Sequence, residues 1–350
     1  MDEDSTVFVG LDLGDRYSEM YIVDGAGQMI ETGRVPTTTR AIERRFRNSP
    51  TCRIGLEAGT HSSWVSRLLE SLGHEVVVAD ARRLRLIYQN ERKNDRADAE
   101  YLARLLRLDP QLLSPVHHRT PQSQADLALL RARDGLVRAR TQLINQARGL
   151  VKSFGGRLPA CSAESFHGRA VRAVPPALQL ALAPLFAAVG ELTRQIHNYD
   201  QAVEKMARER YPETMILRQP AGVGALTALA FVLTLEDPRR FRKSREVGPV
   251  LGLVPRQKQS SGRDPQLRIT KTGDAYLRRL LVGSAQYVLG PFGPDSDLRR
   301  WGLALAARGG KNAKKRAIVA VARKLAVLLH HLWLTGETYQ PSQPPMPGVA

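Results

Sequence analysis

Asp12 stands inside an otherwise apolar run, Val7-Phe8-Val9-Gly10-Leu11-Asp12-Leu13-Gly14, and that placement restricts the folds open to the chain. The flanking residues suit the core of a sheet, where a carboxylate is costly unless a cation or hydrogen bonds compensate it. A second such run, Cys52-Arg53-Ile54-Gly55-Leu56-Glu57, ends on Glu57. Residues 7 to 13, roughly 17 to 24 and 28 to 35 read as three strands, with Gly14-Asp15-Arg16 and Asp24-Gly25-Ala26-Gly27 as turns. Thr38 to Asn48 suits a helix, Cys52 to Glu57 a strand, His61 to Leu72 a helix and Glu75 to Ala79 a fifth strand. The chain is then expected to be helical through Leu108. Hairpin-linked strands followed by alternating helix and strand predict a mixed sheet covered by helices. That order is the one expected of a ribonuclease H-like domain, ending near residue 110.

A third acidic feature lies in Lys93-Asn94-Asp95-Arg96-Ala97-Asp98-Ala99, where Asp95 and Asp98 share one helix face. Together, Asp12, Glu57, Asp95 and Asp98 offer hard oxygen ligands suited to Mg²⁺ or Mn²⁺. Two such ions about 3.5–4 Å apart can clamp the attacking and leaving oxygens of a phosphodiester displacement. Each acid alone has a plainer reading. Asp12 suits a turn before Gly14-Asp15, and Asp95 and Asp98 suit ion pairs with Arg92, Arg96 or Arg104 on a solvated helix. Their coincidence on successive elements of one sheet domain favours a metal-dependent nuclease or strand-transfer site.

At 350 residues the chain has room for two or three domains. Its 52 Lys+Arg against 34 Asp+Glu leave a formal charge of +18, which predicts attraction to a polyanion. A membrane surface also attracts cations, but no spanning segment is expected. Pro175, Pro176 and Pro184 interrupt one apolar stretch, Arg323 and Lys324 another, and Ala221 to Leu235 is too short. Met1-Asp2-Glu3-Asp4 is acidic where a signal peptide would be positive. Cys52 and Cys161 have neither metal-ligand nor redox spacing, so a reduced cytoplasmic setting is expected. Nucleic acid is the expected partner.

From about 122 to 154 apolar doublets recur every seven residues: Leu129-Leu130, Leu136-Val137, Leu143-Ile144 and Leu150-Val151. This predicts a long helix in a coiled coil or antiparallel helical pair, ended by Gly155-Gly156. Core packing within one chain and self-association both accommodate it. A second long helix is predicted from Leu178 to Arg210, with Gly190 as a weak point. Pro220 to Leu226 resembles the glycine-centred turn of a helix-hairpin-helix, where backbone N–H groups can meet a phosphate, though helix packing would also use those glycines. The tail from Gln340 to Ala350 is Pro-rich and reads as disordered.

Cations cluster in the last third: Arg239, Arg240, Arg242, Lys243 and Arg245, then Lys311, Lys314, Lys315 and Arg316. Between them, Arg256, Lys258, Ser260, Ser261, Gly262 and Arg263 are followed by Lys271 and Arg278. A serine beside a glycine, flanked by cations, could aim its oxygen at a phosphate whose charge those cations stabilise. A phosphate-contacting loop is the plainer reading.

Gly10-Leu11-Asp12-Leu13-Gly14, Leu56-Glu57-Ala58, Lys93 to Ala99 and the block from Ser261-Gly262 to Leu277-Arg278 occur together and in order. The combination resembles the DEDD transposases of bacterial insertion sequences, relatives of the Piv DNA invertase, over roughly residues 6 to 335. The resemblance implies an α/β plus α protein: a RuvC-like domain at 1–110, a helical coiled-coil domain at 111–212 and a mainly helical, serine-containing transposase domain at 213–338, before a tail at 339–350. It implies recombination of donor and target double-stranded DNA, directed by a structured non-coding bridge RNA from the element. Asp12, Glu57, Asp95 and Asp98 match the family's Mg²⁺-binding quartet, and Ser261 its nucleophilic serine. Ser260 stands beside it, and the adjoining Gly262 favours Ser261, while Arg263-Asp264-Pro265 departs from the glycines and cations of many relatives. The implied active site is composite, joining two subunits of a dimer or tetramer in the bacterial cytoplasm, at the nucleoid.

Two other readings are available. A RuvC-like nuclease or junction resolvase would cut by water attack, with Ser261 only contacting phosphate. An actin-fold kinase or ATPase would use Gly10 to Gly14 as its first phosphate loop. That fold needs a second glycine-rich loop after a later strand, for which there is no convincing candidate, and its substrates would not call for +18. A non-catalytic binding protein is the remaining class.

Overall fold

A computed structural model of the protein describes residues 6–83, 94–258 and 267–341, and its contacts divide the chain into two units, 1–119 and 120–350. The first unit is built on a five-stranded sheet in the order β3-β2-β1-β4-β5. Here β1 is Phe8–Leu13, β2 Tyr17–Val23, β3 Met29–Pro36, β4 Arg53–Glu57 and β5 Glu75–Ala79. β1 and β3 each pair antiparallel with β2, while β4 pairs parallel to β1, and β5 parallel to β4. The β2–β3 hairpin closes where Asp24 Oδ1 accepts from the Gln28 amide at 2.7 Å.

Strand pleat sorts the residues of β1 onto two faces. Val9 and Leu11 pack with Ile42 and Phe46 of α1 (Thr39–Phe46) and with Val65 and Leu69 of α2 (Ser62–Ser71). Phe8 packs on the other face with Ala99, Leu102, Ala103 and Leu106 of α3 (Asp95–Leu108). Among the described residues, the predicted strands and helices of this unit are all present. Thr38, expected inside α1, is its cap, accepting from the Ala41 amide. Residues 84–93, expected to be helical, lie outside the described residues.

The second unit opens with two long helices, α4 (Pro121–Ser153) and α5 (Gln179–Glu209). Thr120 caps α4 through the Ser123 amide, and Pro121 occupies the first turn, where a missing N–H costs nothing. Paired side chains give the helices opposite directions: Arg210–Asp126 at 2.8 Å, Arg133–Asp200 at 2.5 Å and Arg140–Thr193 at 3.2 Å. Of the seven-residue doublets, Leu130, Ile144 and Val151 are buried, Leu129, Leu136 and Leu143 are half-buried, and Leu150 is exposed. The antiparallel alternative is therefore realised within one chain. α5 runs unbroken through Gly190.

At one end of this pair, Leu127, Leu130, Val203, Met206 and Ala207 join a core with the helices of the last third. These are α6 (Ala225–Leu235), α7 (Ala275–Leu289), α8 (Asp297–Ala307) and α9 (Ala313–Thr335). α6 is buried on nearly every side, as expected for a helix apolar all round. The pair's other end has its own core, from Ile144 to Val189, in which the Phe166 and Phe186 rings stack at 5.2 Å. One expectation needs correction: α9 and the stretch 176–209 are long and apolar enough to cross a membrane by composition. In α9, Val321, Ala322, Leu325, Ala326, Leu329 and Leu332 are buried in the shared core, which accounts for that hydropathy without a membrane.

Candidate metal centre and nucleic-acid interface

The acidic site begins with a close approach of helix to strand. A Cβ on Gly10 would lie 1.8 Å from the Ala99 carbonyl oxygen and 2.6 Å from the Ala103 nitrogen. Only glycine in β1 and small residues in α3 let the two backbones come this near. Arg104 and Arg107 fix α3 from its other end, donating to the carbonyls of Gly27 and Gly25 in the β2–β3 turn at 3.2 and 3.1 Å. Asn94 caps α3 by accepting from the Arg96 amide, so Asp95 and Asp98 fall in its first turn.

This brings the carboxylates of Asp12, Asp95 and Asp98 within 4.8 Å of one another, with Asp95 exposed and the other two half-buried. Like charges gathered this closely repel one another, and a cation held between them would relieve that repulsion. Glu57 ends β4, the parallel neighbour of β1. The pleat places it, with Gly55, on the face that carries Gly10 and Asp12, because Ile54 and Leu56 pack on the opposite face. It stands outside the group of three. The donor set fits a hard divalent cation in number and chemistry.

A histidine that the sequence left unremarked borders the same sheet end. His61, four residues after Glu57, accepts from the Trp64 indole through Nδ1 at 3.2 Å. Its Nε2 lies 3.5 Å from Asp15, three residues after Asp12. The indole bond assigns the proton to Nε2 in the neutral ring, which faces the Asp15 carboxylate. The signal available beforehand was only its spacing from Glu57.

Ser260, Ser261 and Arg263 lie outside the described residues. On either side of them, Pro255 and Ile269 form an antiparallel bridge, and the Arg256 amide donates to the Arg268 carbonyl at 2.9 Å. Behind the bridge, Gly252 and Gly273 both take positive φ, and a Cβ on Gly273 would meet the Val250 oxygen at 1.9 Å. Arg278, expected to contact nucleic acid, donates to the carbonyls of Leu251 and Thr272 at 2.9 and 2.7 Å, tying this crossing together. Arg256, Lys258 and Lys271 are exposed.

Arg239, Arg240, Arg242, Lys243 and Arg245 are all exposed on one loop, as are Lys311, Lys314, Lys315 and Arg316 at the start of α9. The loop is pinned from beneath by His330, fully buried on α9. Its Nε2 meets the Pro238 carbonyl at 2.8 Å, and its Nδ1 meets Ser244 Oγ at 2.9 Å. A carbonyl only accepts, so Nε2 donates to Pro238, while the serine hydroxyl engages the other ring nitrogen. Gly222 takes positive φ against the Ser284 oxygen of α7, so that glycine serves helix packing.

Residues 9–155 match a family described as Transposase, and residues 215–297 match one described as Transposase IS116/IS110/IS902 family. The first span contains Asp12, Glu57, Asp95 and Asp98, and the second contains Ser261. Protein y4pF/y4sB of Sinorhizobium fredii, which bears a transposase name, is 31% identical over 343 residues, 96% of this chain and 86% of its own. The transposase for insertion sequence element IS1111A of Coxiella burnetii is 33% identical over 261 residues, covering 72% of this chain and 70% of the relative. The transposase for insertion sequence element IS1328 of Yersinia enterocolitica is 28% identical over 286 residues, with 81% and 84% covered.

Proposed function

The chain belongs to the IS116/IS110/IS902 family of transposases, and on that premise we propose that it recombines DNA with a metal-bound acidic cluster and a serine nucleophile. The convergence of Asp12, Asp95 and Asp98 within 4.8 Å carries the reading. The strand order, with three antiparallel strands followed by two parallel ones, supports a RuvC or ribonuclease H-like first unit.

Asp12, Asp95 and Asp98 would hold Mg²⁺ or Mn²⁺, with Glu57 as a fourth ligand from the same sheet face. When bound, such an ion supplies charge stabilisation at the phosphate oxygens. Ser261 Oγ attacks phosphorus, the bond to the leaving-strand oxygen breaks, and the serine proton passes to that oxygen. One strand end is then held as a serine phosphodiester, and the reverse step on a second DNA end rejoins it. Exposed cations at 239–245, 256–258, 271 and 311–316 position the phosphate backbone. A structured RNA from the element pairs with donor and target DNA and selects the sites; the formal charge of +18 suits a complex with so many phosphates. Leu129, Leu136, Leu143 and Leu150, beside the buried stripe at seven-residue spacing, supply an apolar seam for a dimer or tetramer in which one chain's acids meet another's serine. The bacterial cytoplasm, at the nucleoid, is the setting.

The test is a strand-cleavage assay with RNA and both DNA partners. Asp12→Ala and Asp98→Ala should abolish cutting while binding persists. Ser261→Ala should abolish the covalent protein–DNA adduct. Cutting by Ser261→Ala without an adduct would favour water attack, as in a junction resolvase. Undiminished cutting by Asp12→Ala would refute the acidic site.

A further inference from the structure

The far end of the α4–α5 pair carries a cationic cleft that none of the chemistry above uses. Arg148, Lys152, Arg157 and Leu158 line a cavity of about 320 Å³ there. From Arg148 to Gln179 the chain has five cations, Arg148, Lys152, Arg157, Arg169 and Arg172, against one acid, Glu164. Arg148 is held rigidly, donating to the Leu158 and Pro159 carbonyls at 3.3 and 3.1 Å with its guanidinium over the Phe166 ring. Lys152, Arg157, Arg169 and Arg172 are exposed, and among the described residues none forms an ion pair. Two residues beyond Lys152, Phe154 is 60% exposed and belongs to neither core of the helical pair, so its ring face is open beside the cations.

We propose that this end of the helical pair is a second nucleic-acid contact, taking a phosphodiester backbone in the Arg148–Lys152–Arg157 cleft and an unpaired base against Phe154. Charge decides the occupant: an excess of four positive charges would repel the same end of a second copy and attract a polyanion. Aromatic rings beside cations are the usual platform for unpaired bases, with the ring stacking and the cations tracking the backbone. The helix sets the reach. Leu130 is the last residue of α4 in the shared core, and Val151 marks the far core. At 1.5 Å per residue the two lie about 30 Å apart, close to one turn of a duplex.

Lys152→Ala/Arg157→Ala removes two exposed charges and spares Arg148, so the fold should survive, as a thermal melt will verify. Binding of the full chain to duplex DNA, single-stranded DNA and an RNA hairpin is then measured over a salt series. The log–log slope should shrink by about 1.8 on the duplex or about 1.4 on a single strand, and the probe that responds identifies the ligand. Phe154→Ala should weaken the unpaired probes about tenfold and leave the duplex unchanged. The Lys152→Arg/Arg157→Lys exchange should restore wild-type slopes. Wild-type slopes in the double Ala variant on all three probes would overturn the proposal, as would a changed oligomer mass without a changed slope, which would mark a protein surface. Failure of the cleavage test above would leave these slopes untouched, since Asp12→Ala retains the cleft.

Discussion

Gly10→Ala tests whether the close approach of α3 to β1 is what assembles the acidic site. The added Cβ would sit 1.8 Å from the Ala99 oxygen, about 1.6 Å short of an ordinary 3.4 Å contact. The obstacle is helix backbone, so no side-chain rotation relieves it, and α3 must retreat by more than an ångström. Overpacking of this kind costs about 1–3 kcal/mol, which should lower the unfolding midpoint without preventing folding. The site has far less tolerance. Mg²⁺ demands oxygens at about 2.0–2.1 Å, with a margin of about 0.2 Å. Asp12 rides on the strand, whereas Asp95 and Asp98 ride on the helix. A misplacement of about 1 Å can cost about 10²-fold in rate, so Mg²⁺-dependent cleavage should fall by at least that factor. Gly55→Ala is the control, because its Cβ would meet Leu106, Leu113 and Leu102 atoms at 3.4–3.6 Å, ordinary contacts on the same helix-facing side. It should cut within a few-fold of wild type. Wild-type cleavage by folded Gly10→Ala would refute the assignment of the site to this strand–helix contact.

Asp12→Ala and Ser261→Ala proteins, each expected to be inactive alone, should regain part of their cleavage when mixed under subunit exchange. If exchange is verified and no activity returns, both groups act within one chain. Neutralising Lys311, Lys314, Lys315 and Arg316 should flatten the salt dependence of duplex binding by about 0.9 for each phosphate these side chains neutralise; an unchanged slope would make them ordinary surface. Arg278→Met should lower stability by about 1–3 kcal/mol through its two carbonyl bonds and leave the salt slope nearly unaltered; the opposite pattern would restore it as a phosphate contact. Burial pushes the Cys52 thiol from its ordinary 9.0 up to about 11, with Arg45 opposing. The folded state thus favours the protonated thiol, a contribution present below pH 9 and lost as pH climbs toward 11. Relative to Cys52→Ala, the wild type should lose stability across that window, measured by denaturant titration; parallel curves would contradict the burial argument.

The first unit was readable because its strands are short, apolar and separated by turn residues. Alternation along Phe8 to Leu13 specifies which residues face which helices, and the hairpin-then-alternation order specifies the sheet. What pattern cannot convey is distance. Gly10 reads as part of a glycine-flanked motif, while its physical function, backbone contact with Ala99 and Ala103, depends on a helix some ninety residues away. In the second unit the seven-residue period foretold the long helices but not their partner. That choice rests on specific pairs such as Arg210–Asp126 and Arg133–Asp200, invisible to a periodicity argument.

Cationic residues show the same limit most plainly. Arg278 and Lys314 look alike in a basic stretch, yet one is committed to two carbonyls and the other is exposed. His330 reads as one more residue of an apolar helix, although it supports the loop carrying Arg239 to Arg245. Such roles follow from which acceptors lie within reach, and composition carries no such information.

The acidic trio draws its carboxylates from both a strand end and a helix start. The first turn of α3 exposes backbone N–H groups and carries about half a positive charge, which lets Asp95 and Asp98 sit beside Asp12 before any ion arrives. That half charge offsets only a fraction of three carboxylates within 4.8 Å. The group is exposed on the Asp95 side and half-buried at Asp12 and Asp98. Acids placed for stability alone gain by dispersal, each beside its own cation, as Glu100 is beside Arg104 on the same helix. Gathering three of them at one point concentrates negative charge of the kind that a divalent cation and a phosphate would together complete.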